Sequence, residues 1–138
     1  FVRYCAASTL LPMIQFSAAP WRVLNDEEYA CIKSLMKQRK EYLPVIKDLI
    51  KHTAETGEPA VRHMEYVFPG KGFERVTDQF MLGNDILVAP VVEKGAISRD
   101  VVLPEGKWKS HSTGEIVDGG RTVKVSAKPD EVPVFVKA

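Results

Sequence analysis

The hydrophobic period of this chain changes at Gly57. Before it, apolar residues recur at helical spacing; after it they fall into short β-branched runs separated by Gly and Pro. The main helix begins at Asn25, a good N-cap. Asp26, Glu27 and Glu28 place negative charge where the helix dipole favours it, and Glu28 stands at capping-box spacing from Asn25. Ile32, Leu35, Met36, Leu43, Ile46, Leu49 and Ile50 form one stripe, with Lys33, Lys37, Lys40, Lys47 and Lys51 mainly away from it. The helix is predicted to reach Thr56 and stop at a left-handed Gly57. A kink is expected at Pro44, whose missing N–H leaves the Lys40 carbonyl without its donor.

Phe1–Leu10 reads as the end of a helix stopped by Pro12, Met13–Ser17 as one short strand, and Ala18–Trp21 as a loop. Beyond Gly57 the predicted strands are Val61–Phe68, Phe80–Val92 with a break at Gly83-Asn84-Asp85, Arg99–Leu103, Lys107–His111, Glu115–Val117, Arg121–Ser126 and Val132–Lys137. Turn signals at Pro69-Gly70, Pro104-Glu105-Gly106, Thr113-Gly114, Asp118-Gly119-Gly120 and Lys128-Pro129-Asp130 separate them. About seven strands at roughly 8–12-residue spacing point to an antiparallel sandwich, so the fold class is α+β. Residue 1 is Phe, and Phe1–Leu11 is patterned like buried structure without a basic or cleavable leader. A segment of a longer protein is therefore expected, with no signal peptide.

Charge removes one class of partner. With 19 basic and 18 acidic residues, the net charge of +1 gives no general attraction for a polyanion. Between Lys33 and Lys51 six basic residues face two acidic ones, but this reads as the solvated side of an amphipathic helix, not a nucleic-acid surface. The longest apolar run, Ile86–Val92, has seven residues, whereas a membrane span needs about 20, so no membrane partner is expected. Cys5 and Cys31 sit in apolar, helical contexts and read as free thiols, although one bridge between them is conceivable. His52, His63 and His111 lack metal-ligand spacing, and no cofactor motif is present. Asp78, Asp85, Asp100, Asp118 and Asp130 fall at strand ends or turns, where Asp caps local backbone donors. Trp21 and Trp108 could stack on sugar rings, but Trp108, within a strand, reads as a packing residue.

Several spaced runs carry a resemblance. Gly57-Glu58-Pro59-Ala60-Val61-Arg62, Val67-Phe68-Pro69, Asp78-Gln79-Phe80-Met81-Leu82-Gly83 and Ile86-Leu87-Val88-Ala89-Pro90-Val91 resemble a stretch of glycoside hydrolase family 31. Arg99, Val102-Leu103-Pro104-Glu105-Gly106-Lys107-Trp108, Thr113-Gly114, Gly119-Gly120 and Val132-Pro133-Val134-Phe135-Val136 keep the same order and spacing. The family comprises retaining α-glycosidases built as a (β/α)8 barrel followed by β-sandwich domains. The resemblance implies that Phe1–Leu11 is the helix before the last barrel strand, Met13–Ser17 that strand, and Asp26–Thr56 the closing helix. Residues 1–57 would then end the catalytic barrel, and residues 58–138 would form the proximal C-terminal β-sandwich.

The implied function is hydrolysis of α-linked oligosaccharides or glycosides by the full-length protein, without a cofactor. α-Glucosidase is the leading activity and α-galactosidase the alternative. A non-catalytic carbohydrate-binding β-sandwich module is a reading of another class, and a basic helical adaptor for nucleic acid a third. The family's nucleophile and general acid are aspartates on earlier barrel strands, so no catalytic residue falls in this segment, and alone it should be inactive. Barrel sites lie at the C-terminal ends of the strands, which leaves Ser17 and Gln15 as the expected substrate-binding residues. Many family α-glucosidases carry a sugar-bonding His at the position of Ser17 and often an Arg at that of Gln15. A hydroxyl is shorter and uncharged, which keeps α-galactosides in play. Arg62 and Asp78 are expected to be structural and paired at the barrel–sandwich junction. The isolated segment is expected to self-associate through the apolar face its long helix would expose.

Overall fold

The computed structural model describes residues 1–138. Helices α1 (Val2–Ser8), α2 (Pro20–Val23) and α3 (Asp26–Thr56) come first. β1 (Val61–Arg62), α4 (Met64–Val67), β2 (Phe80–Leu82), β3 (Ile86–Val88), β4 (Ser98–Leu103), β5 (Lys107–Ser110), β6 (Ile116–Asp118), β7 (Arg121–Ser126) and β8 (Val134–Lys137) follow. The helix-then-strand order is the one read from the sequence. No helix is long and apolar enough to cross a membrane.

α3 begins and ends as its sequence dictates. Asn25 Oδ1 accepts from the Glu28 N–H at 2.8 Å, Glu28 Oε2 accepts from the Asn25 N–H at 3.1 Å, and Gly57 stops the helix at φ 81°. The helix continues through Pro44. Its inner seam differs from the expected stripe: Ile32, Leu35, Tyr42 and Ile46 are buried, while Ile50 is exposed. The buried positions step by three, seven and four residues, with Arg39 between Leu35 and Tyr42 completing a 3–4 spacing. That line is the buried centre of the seam, with Met36 and Leu49 of the expected stripe packed against the same core.

The strands form a six-stranded antiparallel sheet in the order β1-β2-β3-β8-β5-β6 and a two-stranded sheet, β4-β7. In the register Leu82↔Ile86, Ile86↔Val136 and Val88↔Val134, one face of the larger sheet carries side chains into a core shared with α1 and α3. The other face, through Met81, Leu87, Phe135 and Trp108, packs with Val101 and Leu103 of β4. β2, β3 and β8 are therefore covered on both sides. Such strands read as unbroken apolar runs, which explains Phe80–Leu82 and Ile86–Val91.

Three local expectations are corrected. Met13–Ser17 forms no strand, with Ser17 in a bend, because no other strand of this chain lies alongside to complete a ladder. Ala18–Trp21 is not all loop: Pro20 opens α2, where its missing N–H costs nothing. Strand pairing stops at Arg62 because His63 starts a helix, its Nδ1 accepting from the Glu65 N–H at 3.1 Å.

Cys5 and Cys31 are free, and Cys5 shares the helical core with Tyr42. Burial pushes the Cys5 thiol up to about 11, and burial, with Glu41 adding, pushes the Tyr42 phenol up to about 12. Both groups are raised by folding, so their contribution is complete below about pH 9 and is lost as pH climbs through about 11 to 12. Urea unfolding is expected to show a fall in stability across that window, flattened in the Cys5→Ala/Tyr42→Phe double variant. A parental profile already flat from pH 9 to pH 12 would contradict this.

Candidate functional site

Met13–Ser17 keeps strand periodicity without a partner. Met13, Gln15 and Ser17 are exposed, while Ile14 and Phe16 are half-buried and packed against the helical core. Phe16 also stacks on Phe1, with ring centroids 5.7 Å apart. The alternation leaves Gln15 and Ser17 both exposed to solvent. An amide and a hydroxyl there can donate to and accept from a polyol. Neither can protonate a leaving group or attack a carbon as a carboxylate pair does. Phe1, Tyr4, Met13, Trp21 and Val23 are exposed in the same N-terminal stretch.

Of two arginines missed in the sequence, Arg39 holds the entry to this segment and Arg3 holds α1 against the β region. Arg39 Nη1 donates to the carbonyls of Thr9 at 2.7 Å and Leu11 at 2.8 Å, and its Nη2 to that of Pro12 at 3.1 Å. Arg3 donates to the carbonyls of Ala96 at 2.6 Å, Lys128 at 2.7 Å and Ala127 at 3.0 Å, tying α1 to loops of the β region. A readable signal existed for Arg39 alone: a cation at 3–4 spacing within an apolar seam must find acceptors.

Arg62 and Asp78 do not pair. Arg62 is buried and donates through Nε to the Pro59 carbonyl at 2.7 Å and through Nη1 to Asn84 Oδ1; its Nη2 lies 3.4 Å from Glu58 Oε2. Asp78 accepts instead from Arg99, Nη2 to Oδ2 at 2.7 Å. A planar guanidinium takes the acceptors its fork can reach, and for Arg62 those are within its own turn and at the β2–β3 hairpin. Arg62→Met is expected to cost about 2 kcal/mol of stability and to leave substrate affinity unchanged. Affinity lost at unchanged melting temperature would contradict that assignment.

The remaining candidates have structural surroundings. Trp108 is fully buried and its Nε1 donates to the Pro104 carbonyl at 2.8 Å. His63 caps α4, and His111 packs on Tyr42 with its Nε2 4.0 Å from Glu41. No group of His, Cys, Asp and Glu side chains is gathered to hold a metal ion.

Residues 57–138 match the sequence model of the glycosyl hydrolase family 31 C-terminal domain. The myogenesis-regulating glycosidase of Mus musculus is 36% identical over 121 residues, which is 86% of this chain and 16% of that protein. An α-glucosidase of Saccharolobus solfataricus is 35% identical over 107 residues, 77% of this chain and 15% of that protein. Among solved structures, a GH31 α-xylosidase from a soil metagenome, complexed with xylose, superimposes with a TM-score of 0.86 at 28% identity, covering 99% of this chain and 24% of that one. The chain thus spans less than a quarter of the length of each of these relatives. With its whole β region matched from Gly57 to Ala138, the chain belongs to glycosyl hydrolase family 31.

Proposed function

We propose that the full-length protein hydrolyses α-linked glycosides with retention, α-glucosidase being the leading activity and α-galactosidase the alternative. In this reading residues 1–57 close the catalytic barrel, residues 58–138 form the sandwich that buttresses it, and Ser17 and Gln15 touch an α-linked sugar. The observation that carries it is the alternating exposure of Met13, Gln15 and Ser17 on a segment that pairs with no strand of this chain. A barrel strand taken from its neighbours has those properties. The carbohydrate-binding sandwich is disfavoured because Trp108, its best stacking residue, is buried.

The test is turnover of p-nitrophenyl α-glucoside and α-galactoside by the full-length protein, with Ser17→Ala and Gln15→Ala beside it. Each variant is expected to lose about three- to ten-fold in kcat/KM, the worth of one neutral hydrogen bond. The 138-residue chain alone should cleave neither substrate. Cleavage by it, or a full-length protein inactive on every α-glycoside, would overturn the proposal.

Alone, the chain is expected to self-associate, but not through α3. That helix buries its seam on the chain's own sheet and exposes only Val45 and Ile50 among its large apolar residues, whereas Phe1, Tyr4, Met13, Trp21 and Val23 are exposed together in the N-terminal stretch. Sedimentation across concentration should show dimers or larger species, weakened by Trp21→Glu. A monomer at all concentrations would refute this.

A further inference from the structure

We propose that Arg39 is a positioning residue for the sugar-contacting segment, an inference that rests on reading Gln15 and Ser17 as sugar contacts. Its guanidinium lies in the inner seam of α3 and holds the carbonyls of Thr9, Leu11 and Pro12. Closing α1 would require less. The helix ends at Ser8, Thr9 is its C-cap, and the Leu11 N–H already donates to the Ser8 carbonyl at 3.1 Å. The Leu11 and Pro12 contacts lie beyond the helix, on the backbone that leads into Met13. Arg39 therefore grips the chain one peptide before the exposed segment begins.

Leverage gives that grip a consequence. A fully extended chain advances about 3.3 Å per residue, so Ser17, past a bend, lies at most about 16 Å from Pro12. A swing of about 10° at Pro12 would carry the Ser17 hydroxyl by up to about 3 Å, and a displacement of about 1 Å can already cost a hundredfold in rate. Packing of Ile14 and Phe16 against the core holds the segment down, but apolar contact is non-directional. The three hydrogen bonds from a planar fork fix its direction. Lysine cannot reproduce them, because its ammonium is a point charge without the fork. Arg3 is the natural comparator: it also holds three carbonyls, but those of Ala96, Ala127 and Lys128, remote in sequence from Met13–Ser17.

The experiment uses the full-length protein and whichever of p-nitrophenyl α-glucoside or α-galactoside it turns over faster. Arg39→Lys and Arg39→Ala are compared with Arg3→Ala by steady-state kinetics at a temperature where thermal unfolding shows each fully folded. Both Arg39 variants are expected to lose ten- to hundred-fold in kcat/KM, while Arg3→Ala loses melting temperature and stays within twofold of the parent. In a Gln15→Ala/Ser17→Ala background the further loss from Arg39→Lys should shrink to less than threefold. If Arg39→Ala does not fold, Arg39→Lys and Arg39→Gln, which keep most of the side chain's length, carry the comparison. Equal kcat/KM losses at Arg3 and Arg39, or an undiminished Arg39→Lys effect in the double-variant background, would overturn the positioning role. A parent inactive on all α-glycosides overturns the underlying reading as well, and is distinguished because the comparison among variants requires an active parent.

Discussion

Gly119→Ala is expected to destabilise the fold by more than about 3 kcal/mol, lowering the melting temperature of the 138-residue chain by roughly 10 °C. A Cβ at position 119 would lie 1.8 Å from the Pro104 carbonyl oxygen and 3.0 Å from Trp108 Cδ1. The first contact is with backbone, so no rotamer relieves it. The same carbonyl accepts the indole N–H of the fully buried Trp108. Moving it aside would orphan a buried donor, and the Gly119 and Gly120 N–H groups, bonded to the Gly106 and Leu103 carbonyls at 2.7 and 2.9 Å, resist the opposite motion. Thermal unfolding of Gly119→Ala beside Gly120→Ala separates the causes. Gly120 has positive φ, and a Cβ there would meet only Glu105 Cγ at an ordinary 3.7 Å, so its cost should be about 1–2 kcal/mol, mostly backbone strain. Equal melting temperatures for the two variants would discredit the packing argument.

Arg99→Ala should cost about 2–4 kcal/mol in urea unfolding. Its nearly buried guanidinium donates to the Asp78 carbonyl at 2.8 Å, to Asp78 Oδ2 at 2.7 Å, to the Asp100 carbonyl at 3.0 Å and to the Pro90 carbonyl. Asp78 precedes β2 and Pro90 follows β3, whereas Arg99 stands on β4, so one side chain ties the two sheets together. The carboxylate is half exposed, and exposed ion pairs contribute little once solvent screens them. Most of the loss should therefore come from backbone acceptors left without a donor. Asp78→Asn should cost under about 1 kcal/mol, and the Arg99→Ala loss should persist in about 1 M salt. A loss abolished by salt would show that the charge pair, not the carbonyls, ties the sheets.

Where expectation and structure part, the reason is traceable to particular residues. The α3 boundaries were readable because capping by Asn25 and Glu28 and the left-handed stop at Gly57 are settled within a few residues of chain. The β2–β3 and β5–β6 hairpins were readable because turns at Gly83-Asn84-Asp85 and Thr113-Gly114 separate their apolar runs. The strand expected at Val61–Phe68 was too long because a histidine cap at His63 has a weaker signature than Ser, Thr, Asp or Asn. The Arg62–Asp78 pair was wrong because nothing local shows which acceptor a guanidinium will reach. For the candidate site, the alternation of Gln15 and Ser17 was legible, and for Arg39 only its place in the seam was, not the three carbonyls it holds.

By itself the sequence determined both ends of α3, the change of architecture at Gly57, and the family to which the spaced motifs of the β region belong. Tertiary structure alone decided that β8 lies between β3 and β5 and that the sheet is covered by helices on one face and β4-β7 on the other. It also decided that Arg3 reaches carbonyls more than ninety residues away. The division is one of range. Caps, turns and hydrophobic period are interactions among neighbours along the chain, whereas pairing partners and buried-cation acceptors are chosen by whatever backbone the completed fold brings within hydrogen-bonding distance.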